Sequence, residues 1–279
     1  MKSFFFRRCA YFYALIFAKP YLQRFNYLLF HMALRGLGVL NYYDDHVSGE
    51  ENFIKKILPG YLKRSSPTFF DIGANVGHYS LTLRQFFPSA TIYSLEPHPI
   101  TFRTLSLLQE RENILCFNKA LGSSIGKLPL FDEATANGSQ HATLNKDVIG
   151  EIHHQQSIVY DIEVDTLDNF ASKHNIAYID FMKIDTEGSE LAVLRGGREL
   201  LAQKRIGIIQ FEFNEMNIYS RSFFNDFKLL LPGYKFLRLL PHGLLELTAT
   251  PIVTELFAFQ NLLAVPPEMN DQVENVPRW

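Results

Sequence analysis

From Thr68 onward, apolar runs of strand length alternate with amphipathic runs of helix length. This is the sequence form of βαβ units, and it restricts the chain to a mostly parallel sheet covered by helices on both faces. Thr68–Ile72 reads as a first strand and Gly77–Phe87 as its helix. Thr91–Leu95 is a second strand, Pro99–Gln109 a helix with Phe102, Leu105 and Leu108 on one face, and Ile114–Asn118 a third strand. Between Gly122 and Gln156 the periodicity fades, apart from an apolar stretch at Lys127–Phe131; a segment of this length inside a compact domain is more often functional than idle. Ile158–Val164 reads as an inserted or edge strand and Leu167–His174 as a short helix. Tyr178–Ile184 and Ile206–Phe213 are the fourth and fifth core strands, separated by a helix over Ser189–Leu201 that is interrupted at Gly196-Gly197. A helix is expected over Phe223–Leu231. The runs Tyr234–Leu240 and Leu256–Val265, joined by a loop with prolines and glycines, predict an antiparallel hairpin closing one sheet edge. The fold class is therefore α/β: a doubly wound, Rossmann-like sheet, mostly parallel with an antiparallel closing strand, plus N-terminal helices.

A chain of 279 residues, 47% of them hydrophobic, supports one such domain, placed at 46–266 between a helical segment at 1–45 and a loose tail at 267–279. A net charge of -2 gives no basic field to gather phosphate backbones, so nucleic acid is not an expected partner. Two distant cysteines, Cys9 and Cys116, make neither a disulfide framework nor a metal-type spacing, and no metal is expected. Lys2, Arg7 and Arg8 ahead of the apolar run Cys9–Ala18 imitate a signal peptide. The run is short, and Lys19-Pro20 ends it without a small-residue cleavage site, so a cytoplasmic location is expected. Tyr21–Leu40, rich in Leu, Phe and Tyr with Arg24 and Arg35, predicts amphipathic helices that cap the domain; a membrane-surface or partner-binding helix is the sharper alternative.

The strongest local signal is Phe70-Asp71-Ile72-Gly73-Ala74-Asn75-Val76-Gly77-His78-Tyr79-Ser80, set where a buried strand becomes a helix. Gly73 permits a sharp turn, Asn75 tolerates a left-handed conformation, and Gly77 permits close approach. Glu96 ends the second strand about twenty residues further on, where an acid can accept two hydrogen bonds from ribose hydroxyls. These features suit a dinucleotide or S-adenosyl-L-methionine. A pyrophosphate favours the third glycine of the dinucleotide fingerprint, which is absent, whereas Asp71 suits the ammonium of a zwitterionic aminoacyl group.

From about Leu37 to the last strand the chain resembles the FkbM-type methyltransferase family. The resemblance is carried by the DIGANVGHYS turn, the Leu95-Glu96-Pro97 end of the second strand, Lys119-Ala120-Leu121-Gly122, and above all Met182-Lys183-Ile184-Asp185-Thr186-Glu187-Gly188-Ser189-Glu190. It implies a class I methyltransferase sheet using S-adenosyl-L-methionine. By the same resemblance Asp71, Gly73, Asn75 and Gly77 line the aminoacyl and sulfonium end, Glu96 holds ribose, and the segment from Asn118 through Ala120 to Leu121 flanks adenine. Ser48-Gly49-Glu50 resembles a further family signature. The implied acceptor is a hydroxyl on a sugar or other small molecule.

Methyl transfer to an alcohol needs alignment and a proton acceptor. Asp185 is the first candidate, with capping of the following helix as its competing role; Glu187, Glu212 and Asn214 lie at neighbouring strand ends. The segment with Asn137, Ser139, His141 and Thr143, and later His153 and His154, could fold over the acceptor. The competing functions are an NAD(P)-dependent oxidoreductase and a non-catalytic adenosylmethionine-binding scaffold.

Overall fold

The computed structural model describes residues 4–133, 142–144, 157–248 and 250–269. Its centre is an eight-stranded sheet in the order β10-β9-β11-β8-β7-β1-β2-β3. The strands are β1 (Thr68–Ile72), β2 (Thr91–Leu95), β3 (Leu115–Phe117), β7 (Ile179–Ile184), β8 (Ile206–Phe213), β9 (Lys235–Leu240), β10 (Gly243–Glu246) and β11 (Gln260–Val265). Three remaining strands, β4 (Ala120–Leu121), β5 (Gly126–Glu133) and β6 (Ser157–Asp165), form a separate small sheet in the order β4-β6-β5.

β1 lies between β2 and β7, parallel to both, and β7 is parallel to β8. Strands in this position are covered on both faces, so they read as near-continuous apolar runs. In β7, Ile179, Phe181, Met182 and Ile184 are all fully buried. One core packs Phe70, Met182, Ile209 and Phe170, and the other packs Phe69, Phe181, Ile208 and Leu83 on the opposite face.

The closing strands depart from a simple edge hairpin. β11 is inserted between β8 and β9 and runs antiparallel to both. The hairpin at the edge is β9 with β10, and a short helix, Pro251–Thr254, separates β10 from β11. Every residue of β11 is buried, which a strand at the rim would not allow. The stretch of fading periodicity contains β5, paired antiparallel with β6 along its length, so the strand expected at Ile158–Val164 belongs to the small sheet. The 1–45 segment forms helices Phe4–Phe17 and Gln23–Gly36; the first buries no residue and the second buries only Leu34. They do not form the packed cap expected from their apolar stripes.

Candidate active site

The parallel order reverses direction of travel between β1 and β7, and ligands of open α/β sheets bind beyond the strand carboxyl ends at such a switch. A cavity of about 640 Å³ opens there. It brings together Asp71, Gly73, Asn75 and Glu96 from β1 and β2, Ala120 from β4, and Asp185, Glu187 and Glu212 from the ends of β7 and β8.

The turn after β1 is built by necessity at two positions. Gly73 has φ +83°, and a Cβ there would lie 1.7 Å from the carbonyl oxygen of Asp185, so only glycine lets β1 and β7 end side by side. Asn75 takes φ 50° and accepts from the N–H of Val76 through its own Oδ1 at 2.7 Å, which is why a residue tolerant of the left-handed region stands there. The N–H groups of Gly73 and Ala74 both donate to the Leu95 carbonyl, at 2.9 and 3.0 Å, tying the turn to the end of β2. Gly77 does not line the cavity. A Cβ there would meet Leu108 Cδ1 at 2.4 Å, so this glycine serves packing against the helix Pro99–Glu112.

Glu96 reaches back across the turn. Its Oε2 accepts from the N–H of Asn75 at 2.9 Å and its Oε1 from the N–H of His98 at 2.8 Å, leaving lone pairs on both oxygens for a bidentate diol. Burial pushes its pKa up to about 7 despite these two donors. Asn118 donates to the carbonyls of Glu96 and Pro97 at 2.8 and 3.0 Å, so it braces this turn, while Lys119, Ala120 and Leu121 line the cavity. The adjoining wall is apolar: Leu130 and Ile162 from the small sheet, with Ala142 and Leu144. His98 caps the following helix through Nδ1, and its Nε2 lies 3.2 Å from Asp132 on β5, fastening the small sheet to the Glu96 turn.

Asp71 is fully buried in β1. Ser80 Oγ donates to Oδ2 at 2.6 Å, and Oδ1 has no hydrogen-bond partner. A buried carboxylate oxygen without a donor is costly, and an acidic residue in the cavity wall favours a cationic or N–H-bearing ligand group beside it. Burial raises its pKa, and Lys183 offsets part of that. Lys183 sits at the centre of the acids, 3.0 Å from Asp185 Oδ2, 3.9 Å from Glu50 Oε1, and 4.4 Å over the Tyr79 ring. Burial works against its charge, but Asp185, Glu50 and Asp71 outweigh it and hold it as an ammonium.

A polar chain behind the cavity escaped the sequence reading. Tyr79 OH donates to Gln210 Oε1 at 2.6 Å, and Gln210 Nε2 donates to Glu50 Oε1 at 2.7 Å and to Asn261 Oδ1 at 3.2 Å. Glu50, which the sequence marks only through the Ser48-Gly49-Glu50 signature, lines the cavity; burial raises its pKa. The available signal was Gln210 itself, a lone amide between Ile209 and Phe211 in β8, since a polar side chain in a doubly covered strand must find partners.

Beyond β7, Glu190 holds the turn. Its Oε1 accepts from Thr186 N and Oγ1, both at 3.0 Å, and from Gly188 N at 3.1 Å. Glu187 takes φ 52° within that turn, and its carbonyl accepts from Thr143 Oγ1 at 2.9 Å. Asp185 does not cap the helix, since its carboxylate pairs with Lys183. Burial, then Asp185, raises the pKa values of both Glu187 and Glu212 well above the usual range, and Glu187 adds to the effect on Glu212. Asn214 Nδ2 hydrogen-bonds Glu212 Oε1. Asn137, Ser139, His141, His153 and His154, considered above as acceptor contacts, lie outside the described residues.

A parallel doubly wound sheet with the antiparallel strand β11 slotted between β8 and β9, and an acidic cavity at the strand ends, defines a Rossmann-like methyltransferase. More narrowly, the chain belongs to the FkbM methyltransferase family: the family model described as "Methyltransferase FkbM domain" matches residues 71–237. The chain is 24% identical over 203 residues to the 2-O-methyltransferase NoeI of Sinorhizobium fredii (strain NBRC 101917 / NGR234), covering 68% of this chain and 81% of that protein. It is 27% identical over 157 residues to the methyltransferase sdnD of Sordaria araneosa, covering 47% of this chain and 61% of that relative. An FkbM methyltransferase crystal structure from Methylobacillus flagellatus KT superposes with TM-score 0.45 at 16% identity, covering 84% of this chain and 58% of that one. Family membership sets the nicotinamide oxidoreductase reading aside.

Proposed function

We propose that the chain is an S-adenosylmethionine-dependent O-methyltransferase acting on a hydroxyl of a sugar or other small-molecule acceptor. The observation that carries the cofactor assignment is that the Gly73 turn and Glu96 share one wall of the strand-end cavity with the carboxylate of Asp71. Its acceptor oxygen suits an α-ammonium, the open lone pairs of Glu96 suit a ribose diol, and the Leu130, Leu144 and Ile162 wall suits an adenine face. Asp71, Asn75, Glu96 and Ala120 would hold the cofactor. Bound there, it supplies an electrophilic methyl group on a cationic sulfonium.

The chain's own residues then have two tasks. Asp185 is fixed by its ion pair with Lys183, which suits it to orienting an acceptor hydroxyl more than to removing a proton. Glu187 and Glu212 have raised proton affinity, so either can take the hydroxyl proton as the oxygen becomes a nucleophile. The name of NoeI, a 2-O-methyltransferase, supports an oxygen acceptor.

Calorimetric titration with S-adenosylhomocysteine, S-adenosylmethionine and both nicotinamide redox states tests the cofactor. Binding of the two sulfur nucleosides alone is expected, and binding of none would overturn the reading. A panel of hydroxylated acceptors, scored by mass gain of one methylene unit, then tests the acceptor class; products methylated only on nitrogen would refute the O-acceptor.

A further inference from the structure

The helices Phe4–Phe17 and Gln23–Gly36 form a hairpin joined at its turn: Tyr13 OH donates to Asn26 Oδ1 at 2.6 Å, Asn26 Nδ2 donates to the Phe17 carbonyl at 2.8 Å, and Phe17 packs on Phe25 with ring centroids 5.8 Å apart. Elsewhere the hairpin is bare. Phe4, Phe5, Tyr11 and Phe12 are 71%, 75%, 63% and 57% exposed, and Tyr27, Leu28 and Phe30 on the second helix are likewise exposed. Large apolar side chains this exposed along two neighbouring helices do not stand in water without a cover, and an apolar surface this continuous marks an interaction site.

The charge pattern selects the cover. Six of the chain's 27 Lys and Arg residues, and none of its 29 Asp and Glu residues, precede Asp44. The hairpin is thus uniformly cationic on a chain whose net charge is -2. Arg7, Arg8, Lys19 and Arg24 are interleaved with the aromatic rings; Arg8 lies 4.4 Å over Phe4 and Lys19 lies 5.9 Å over Tyr21. Long cationic side chains whose stems run along apolar surface and whose heads reach polar groups belong at the headgroup level of a bilayer. Among the described residues no helix is long and apolar enough to cross a membrane. A 14-residue helix spans about 21 Å against a hydrocarbon core of about 30 Å, so these helices fit a bilayer only by lying in its surface.

We propose that the hairpin of helices 4–17 and 23–36 docks on an anionic lipid surface, its aromatic side chains entering the acyl boundary and its arginines and lysine meeting lipid phosphates. The linkage to the catalytic domain is firm. Val39 is fully buried, Leu40 N donates to the Phe259 carbonyl at 2.8 Å, and the fully buried Arg238 donates to the Leu37 carbonyl at 3.0 Å. Leu40, Tyr42 and Asp45 then line the cavity, so docking would hold one wall of the active site next to the membrane.

The test is co-sedimentation of the full chain with phosphatidylcholine vesicles and with vesicles containing about one third phosphatidylglycerol. Binding to the anionic vesicles alone is expected, weakening as salt is raised. Replacing Arg7 and Arg8 together (R7Q/R8Q) is expected to weaken binding about thirtyfold, at roughly 1 kcal/mol for each charge. The pair F5S/F12S is expected to abolish it while the far-ultraviolet circular dichroism and Tm stay at parent values, because neither ring enters the domain core. Absence of binding to anionic vesicles, equal binding to neutral ones, or unchanged binding by either double variant would overturn the proposal. So would self-association of the parent that F5S/F12S abolishes, since a second copy would then be the cover.

Discussion

At the level of single residues, Glu96 makes the sharpest expectation. A ribose diol donates to an ionised carboxylate, and burial places the Glu96 pKa at about 7. The affinity for S-adenosylhomocysteine should therefore fall about tenfold between pH 8 and pH 6, as the carboxylate becomes protonated. Titration calorimetry across that range checks this, and E96Q should bind weakly with no such dependence. The proton-acceptor assignment has its own outcome: E212Q should lower kcat by at least about a hundredfold with KM for the cofactor unchanged. A drop of that size in E187Q alone would move the role to Glu187. Asp71, Gly73, Asn75 and Glu96 were legible in the sequence because each breaks the pattern around it, an acid in a buried strand or a glycine where a strand ends. Tyr79, Gln210, Glu50 and Asn261 were not, because their meaning is a hydrogen-bond chain between positions up to 160 residues apart. Gly77 reads in the sequence as a glycine that must be small for close approach, and the structure sets it against Leu105 and Leu108 and outside the cavity lining, a placement that spacing alone does not reveal.

Among the elements, the turn after β7 shows how a motif becomes a site. Glu190 is almost wholly buried, and it accepts from both Thr186 and Gly188, so the helix beginning at Glu190 holds the loop that presents Glu187. Leaving those N–H groups without acceptors costs about 1–3 kcal/mol each when they remain buried. E190A should lower stability by about that amount in urea denaturation and reduce kcat, while E190Q, which keeps an acceptor oxygen, should recover most of the stability. The core strands β1, β2, β7 and β8 were legible from their predominantly apolar runs, and β8 was placed to the residue. The position of β11 was not, because chain order places it last and a last strand is most simply an edge. Its sequence did hold the answer: Leu262, Leu263, Ala264 and Val265 show no polar alternation, and all are fully buried. The β5–β6 sheet was obscured because Lys127, Leu128 and Val159 are exposed and its apolar inner face is short.

For the molecule as a whole, the dominant electrostatic fact is a cavity where Glu50, Asp71, Asp185, Glu187 and Glu212 surround the ammonium of Lys183, while Lys119, also in the lining, pairs with Glu163. A cationic ligand would relieve that excess, so under the proposed function the site is expected to favour a sulfonium over the neutral thioether left after transfer. The same excess loads the fold. Burial raises the Glu96 pKa from 4.5 to about 7, so between those values the folded chain holds a proton that the unfolded chain has released. Stability from this group is then fully present below pH 4.5 and is lost as pH rises through about 7, a change on the order of 3 kcal/mol. Glu50, Asp71, Glu187 and Glu212, raised chiefly by burial, act in the same direction. His98 acts in the opposite direction just below its usual pKa, because burial disfavours its charged form and its stabilising share grows as pH rises toward 6.5. The fall should therefore be cleanest from pH 6.5 to 8, read as a declining Tm of the ligand-free protein. Comparing the parent with E96Q removes the shared contributions of the other groups. The stability advantage of E96Q should grow by about 3 kcal/mol between pH 5 and pH 8, while a constant difference would mean that Glu96 ionises with an ordinary carboxylate pKa. Saturating S-adenosylmethionine should restore the parent's Tm more at pH 8 than at pH 6, because the ligand's charge is most useful where the cavity's carboxylates are most fully ionised.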